Sequence, residues 1–120
     1  MTQSLYERLG GAKKVEAIAK DLVAAHLRNP LIKSRFEIVA DRARLEANVR
    51  DFIGAGTGGK EQYTGKDMPT VHRGMNINER ELVAAIDDAL AVLKKHGVPE
   101  DAQRDMLAIL YSLKGEVLFQ

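Results

Sequence analysis

Residues 68–77 read Met68-Pro69-Thr70-Val71-His72-Arg73-Gly74-Met75-Asn76-Ile77. One histidine stands here among Met68, Val71, Met75 and Ile77, after a glycine-rich stretch and before an amphipathic pattern. Pro69 suits the first residue of a short helix carrying Thr70, Val71 and His72, because a helix start has no use for the missing N–H. Downstream, Asn78 and Glu81 form a cap pair. Leu82, Ile86, Leu90 and Leu93 then fall on one helical face, with Ala85 and Ala89 beside them. Gly97 closes that helix after Lys94, Lys95 and His96, whose charge suits the negative end of the dipole. Upstream, residues 54–67 contain five glycines and read as a long irregular segment.

The remaining segments are helical as well. Ser4 and Glu7 match a capping box, with Leu5 and Leu9 as anchors, and Gly10-Gly11 turns the chain. From about Lys13 to Leu27, Val15, Ile18, Leu22 and His26 share a face with Ala19, Val23 and Leu27 beside it. Asn29-Pro30 ends that helix, and Leu31 to Phe36 reads as a short turn. Asp41 is an N-cap for a helix with Leu45, Val49 and Phe52 on its stripe, dissolving at Gly54. Met106, Ile109, Leu110 and Leu113 mark a last helix from about Glu100 to Lys114. Two-residue alternation is sustained nowhere, so the fold class is all-α.

With 120 residues the chain supports one hydrophobic core. We expect a single domain over residues 1–117. Residues 118–120 end a Glu116-Val117-Leu118-Phe119-Gln120 tail that matches a viral 3C-type protease site, and are set aside. Eighteen Lys and Arg against 17 Asp and Glu give a net charge of +1, too small a field to point to nucleic acid or an acidic membrane. The absence of cysteine excludes disulfides, thiol catalysis, zinc–thiolate sites and iron–sulfur clusters. No apolar run reaches the ~20 residues of a membrane span and no leader pattern is visible, so the expected compartment is cytoplasmic.

Ser4, Ser34 and Ser112 sit in no nucleophile motif. The neighbouring Asp87 and Asp88 point in different directions from a helix and read as a solvated edge. Gly54 to Lys60 lacks the Lys-Ser/Thr ending of a phosphate loop and follows a helix rather than a strand. That leaves three histidines, no two of which are spaced to share a metal on one helix. His96 reads as a helix-end residue. His26 lies on an apolar face, either as a hydrogen-bonded core histidine or as a ligand. His72 has two readings: a buried histidine bonded to a backbone carbonyl, or the axial ligand of a haem, which supplies four nitrogens of its own. Aromatic residues make up only 5% of the chain, and a core so poor in rings accommodates a flat apolar cofactor easily.

Taken in order, Ser4-Leu5-Tyr6-Glu7-Arg8-Leu9-Gly10-Gly11, Phe36, Gly58-Gly59, Tyr63-Thr64-Gly65 and the segment 68–77 resemble the truncated haemoglobins, group I, over residues 4 to 115. The resemblance implies a two-over-two helical sandwich around haem b (iron protoporphyrin IX). It implies His72 as the proximal iron ligand, its second ring nitrogen donating to a backbone carbonyl. It places Phe36 on the haem face and Phe52, Met68, Val71 and Ile77 in the pocket. Tyr63 falls near the propionates, and Lys66 or Arg73 are their cationic partners.

On the distal side the chain departs from the family pattern. The usual Tyr position is Val23 and the usual Gln position is Val49; Leu45 and Asn48 hold two further distal positions, with His26 one turn beyond Val23. The candidates for a donor are thus Asn48 and a distant His26, the latter also a candidate sixth ligand of an otherwise five-coordinate iron. A buried donor facing an oxygen ligand that gains negative charge contributes roughly 1.5–3 kcal/mol, about ten- to a hundredfold in affinity. Val23 and Val49 donate nothing, so modest oxygen affinity is expected beside good CO and NO binding. The resemblance thus implies O2, CO and NO as ligands, in oxygen transport, gas sensing, NO dioxygenase or peroxidase-like chemistry, with an unidentified reductase as partner and a monomer or weak dimer as assembly. The alternative is a haem-free helical interaction module with His72 structural.

Overall fold

The computed structural model describes residues 3–120, and eight helices account for most of them. They are α1 (Leu5–Leu9), α2 (Gly11–Arg28), α3 (Lys33–Glu37), α4 (Arg42–Thr57), α5 (Met68–His72), α6 (Glu79–Lys95), α7 (Glu100–Ser112) and α8 (Lys114–Val117). The long helices pair two by two: α2 packs on α4, α6 packs on α7, and α2 crosses α6. No helix among the described residues is long and apolar enough to cross a membrane.

Helix starts follow the caps in the sequence. The Ser4 hydroxyl accepts from the Glu7 N–H at 3.1 Å, and the Asp41 carboxylate accepts from the Arg44 N–H at 3.0 Å. At α6 the capping box is reciprocal: Asn78 Oδ1 accepts from the Glu81 N–H at 2.8 Å, and Glu81 Oε1 accepts from the Asn78 N–H at 3.3 Å. Two orphan donors are satisfied at once. Asn78→Ala should therefore cost about 1 kcal/mol, read as a lowered denaturation midpoint with an unchanged denaturant slope.

Helix α4 does not dissolve at Gly54 but continues to Thr57. Ile53 and Thr57 are buried on its inner face, and the Thr57 hydroxyl donates to the Ile53 carbonyl at 2.7 Å. Burial of that face outweighs the poor helix propensity of Gly54 and Gly56. Gly54 also gives room: a Cβ there would meet the Glu61 carboxylate, which accepts from the Tyr6 hydroxyl at 2.6 Å and ties the following loop to α1. The helix ends at Gly58, whose φ of +96° caps it in the left-handed region.

The larger core joins Leu9, Val15, Ile18, Ile53, Val92, Leu93, Val98, Ala102 and Met106, drawn from α1, α2, α4, α6 and α7. A smaller cluster gathers Ile77, Leu82, Ile86, Val117 and Leu118. There the Phe119 N–H donates to the Ile77 carbonyl at 2.9 Å and the Asn76 N–H to the Gln120 carbonyl at 3.0 Å. The C-terminal residues are thus packed along the segment that follows α5.

Candidate functional site

Between the two helix pairs lies a cavity of about 220 Å³ that opens to solvent. Leu22 and His26 of α2, Ile32 before α3, Arg35 and Phe36 of α3, and Phe52 of α4 form part of its wall. Met68 and His72 of α5, with Met75 and Ile77 after it, form the next part. Helix α6 adds Glu81, Leu82, Ala85, Ile86 and Ala89, and the C-terminal helices add Leu110, Leu113 and Val117. The polar exceptions in this apolar wall are two histidines and the Arg35–Glu81 ion pair, closed at 2.9 Å between Nε and Oε2.

His72 is fixed by its own helix. Its Nδ1 lies 2.8 Å from the Met68 carbonyl, one turn back. A carbonyl only accepts, so Nδ1 carries the proton and Nε2 presents its lone pair. That nitrogen has no partner among the described residues. The Asp67 carboxylate caps the same helix by accepting from the Thr70 N–H at 2.9 Å.

His26 is nearly buried, at 8% exposure, and stacks on Phe36 with ring centroids 4.8 Å apart. Its Nδ1 lies 2.9 Å from Asp88 Oδ2, and the Asn29 amide donates to both Asp88 oxygens at 3.1 Å. Burial pushes the imidazole below its ordinary 6.5, against the opposing pull of the Asp88 carboxylate. The unfolded chain therefore takes up this proton before the folded one does. Stability should fall as pH drops through the ordinary imidazole value of 6.5, above the range where carboxylates titrate. Denaturant midpoints measured between about pH 7 and pH 5 should show this slope, and His26→Gln should flatten it.

Of the residues singled out in the sequence, the structure brings His26, Phe36, Phe52, Met68, His72 and Ile77 to one cavity. Others stand elsewhere. Val23 is fully buried and outside the cavity wall, where α2 contributes Leu22 and His26 instead. Leu45, Asn48 and Val49 are half-buried on α4 but do not line it, and Val49 packs against the larger core. Tyr63 packs edge-on against Phe52 at 5.3 Å and donates to the Lys66 carbonyl at 2.6 Å, standing one layer behind the wall. Lys66, Val71 and Arg73 are exposed.

Leu22, Ile32, Arg35, Met75 and Glu81 line the cavity without having been singled out, as do the α6 residues and Leu110, Leu113 and Val117. The signal for the α6 group was present as Leu82, Ala85, Ile86 and Ala89 at helical spacing. The alanines there leave room beside the helix instead of filling a core. His96 does more than end its helix: its Nε2 lies 2.6 Å from Asp21 Oδ2 and joins α6 to α2.

The profile of the bacterial-like globin family matches residues 4–119 of this chain. The chain is a truncated haemoglobin. The group 1 truncated haemoglobin of Synechocystis is 32% identical over 110 residues, covering 88% of each chain. That of Tetrahymena pyriformis is 27% identical over 116 residues, covering 97% of this chain and 95% of the relative. The crystal structure of the Tetrahymena pyriformis truncated haemoglobin in its Fe(III) form superposes with a TM-score of 0.94 at 26% identity, covering 98% of this chain and 100% of that one. The two-over-two arrangement of α2, α4, α6 and α7 is that of the truncated haemoglobins.

The residues present fit the family's prosthetic group. A flat apolar macrocycle needs a cleft with few polar atoms and one strong axial donor. Leu22, Phe36, Phe52, Met68, Leu82 and Ile86 supply the first, and the unpartnered His72 Nε2 supplies the second. Among the described residues no three His, Cys, Asp or Glu side chains gather to hold a bare metal ion.

Proposed function

We propose that this truncated haemoglobin holds haem b through His72 and binds small diatomic gases, O2, CO and NO. The observation that carries the reading is the His72 ring, with Nδ1 tied to the Met68 carbonyl and Nε2 free in an apolar cavity. Haem, when bound, supplies an iron with an open position for a diatomic ligand. The Met68 carbonyl sets the imidazole tautomer and raises the basicity of Nε2. Phe36, Phe52, Met68 and Ile77 exclude water from the macrocycle. Lys66 and Arg73, exposed on either side of α5, are the cations for the propionates, and Tyr63 braces Phe52 and the intervening loop.

The distal side has no ready donor. Val23, Leu45, Asn48 and Val49 all stand outside the wall, and Arg35, which does line it, donates to Glu81. The His26 Nδ1 proton is engaged by Asp88, so neutral His26 offers the cavity an acceptor only. Oxygen then forgoes roughly 1.5–3 kcal/mol of charge-assisted bonding, while CO loses little. Fast oxygen release suits transport or sensing better than NO turnover with oxygen. A separate reductase belongs to this reading. The test is to measure O2 and CO equilibrium affinities of the ferrous protein. A strong preference for CO is expected; an oxygen affinity rivalling that for CO would show a donor in the cavity and contradict the acceptor-only distal side.

A further inference from the structure

The His26–Asp88–Asn29 constellation is more elaborate than a core histidine requires. His26 lines the cavity on one side, while Asp88 and Asn29 border a separate surface groove with Arg28 and Lys95. The Asn29 amide holds both Asp88 oxygens, and Asn29 Oδ1 in turn accepts from the Leu31 N–H at 3.1 Å, so the carboxylate is fixed in place. Asp88 accepts from His26 Nδ1, which leaves the lone pair on Nε2. Among the described residues Nε2 has no hydrogen-bond partner, and His26 lines the cavity. Phe36 stacked on the ring prevents it from turning away.

We propose that His26, oriented by Asp88, is a base inside the cavity that takes the proton from small weak acids entering it, so that this chain favours protic ligands of the type HX, such as hydrogen cyanide, hydrogen sulfide and hydrogen peroxide. The step is a simple proton transfer. The H–X bond breaks, its electron pair stays on X, and the proton forms a bond to Nε2. The products are X⁻ in the cavity and an imidazolium beside the Asp88 carboxylate. No oxidant or reductant is consumed. Asp88 stabilises the imidazolium, and its second exposure, to the outer groove, gives the proton a way to solvent. The proposal rests on the haem reading, because X⁻ needs a cation to bind.

The charged and titratable groups around His26 are few. Asp88 comes from α6, as does Glu81, which is paired with Arg35 of α3. His72 of α5 lines the same cavity, and α4 contributes only Phe52 to that wall. Arg28, Lys95 and Asp21 stand in the outer groove beyond Asp88, with Asp21 paired to Lys95 and His96. Since Arg35 and Glu81 neutralise each other, Asp88 is the charged group that works against burial in holding a proton on His26.

The experiment is rapid mixing of the ferric holoprotein with sodium cyanide across a range of pH, beside CO association to the ferrous holoprotein. In His26→Leu, cyanide association near neutral pH should slow by roughly a hundredfold, the low end of what a positioned base contributes. CO, which carries no proton, should change little. In Asp88→Asn, the fall in cyanide rate at acid pH should move to lower pH, because the carboxylate that raises the imidazole's proton affinity is gone. Nitrogen-15 spectra of the diamagnetic ferrous–CO holoprotein should show His26 protonated at Nδ1, and Asp88→Asn should lose that preference. An unchanged cyanide rate in His26→Leu, or an equal change for cyanide and CO, would overturn the proposal. So would a low-spin ferric spectrum that turns high-spin in His26→Leu, since Nε2 would then be an iron ligand. Each of these failures leaves the Soret band intact, whereas absence of that band would remove the haem reading itself.

Discussion

Replacing His72 by alanine should weaken haem retention by more than about a hundredfold, because loss of a supporting hydrogen bond behind a metal ligand already costs 10–100-fold. The variant removes the one nitrogen with a free lone pair on α5 and leaves the apolar wall unchanged. Haem transfer to an excess of a competing apoglobin reads the effect directly. His72 is half-buried at the end of a five-residue helix, so its removal leaves the larger core untouched and the chain should remain helical. His72→Gly in the presence of free imidazole should recover much of the retention, which a misfolded variant would not do. Unaltered haem transfer in His72→Ala would remove the assignment.

Leu93→Ala should produce the largest loss of stability, about 2–5 kcal/mol, the range for truncating a buried leucine in a tight core. Leu93 is 1% exposed and packs in the cluster that joins α1, α2, α4, α6 and α7, so its truncation leaves a cavity in the core these helices share. Val83, on the same helix but 49% exposed, serves as the control. Val83→Ala should fall within about 0.5 kcal/mol of the parent. The two large predictions separate cleanly. Ligand binding stabilises only the state that binds, so His72→Ala lowers the stability of the haem-loaded protein alone. Leu93→Ala lowers loaded and haem-free protein by the same amount, because Leu93 is not in the cavity wall. Urea midpoints with and without haem would distinguish them.

The long helices were legible because each carried both a period and an end. Helix α6 shows this best: the Asn78–Glu81 capping box, the Leu82–Ile86–Leu93 stripe and the residues before Gly97 all agree with the observed Glu79–Lys95. Glycine signals misled at the end of α4, where Gly54 and Gly56 read as a break. Burial of Ile53 and Thr57 keeps the helix going to Gly58, and local propensity cannot register that burial. The family was legible from the order of short motifs. The cavity wall was legible only in part. Position counting gave the distal places on α2 to Val23 and His26, and of these only His26 lines the cavity, beside Leu22. A rotation of one residue changes which side chain meets the cavity without altering the periodic pattern. Asp88 read as a solvated edge, because the chain alone does not show that Asn29 and His26, about sixty residues earlier, fold onto it.

The most direct test of the central claim is the visible absorption spectrum of the purified protein, first ferric, then reduced with dithionite, then reduced under CO. A haem held by His72 in this cavity predicts a Soret band that shifts sharply when CO is added. A protein without a Soret band, even after haem is supplied, would contradict the account and leave a helical module in which His72 only braces α5.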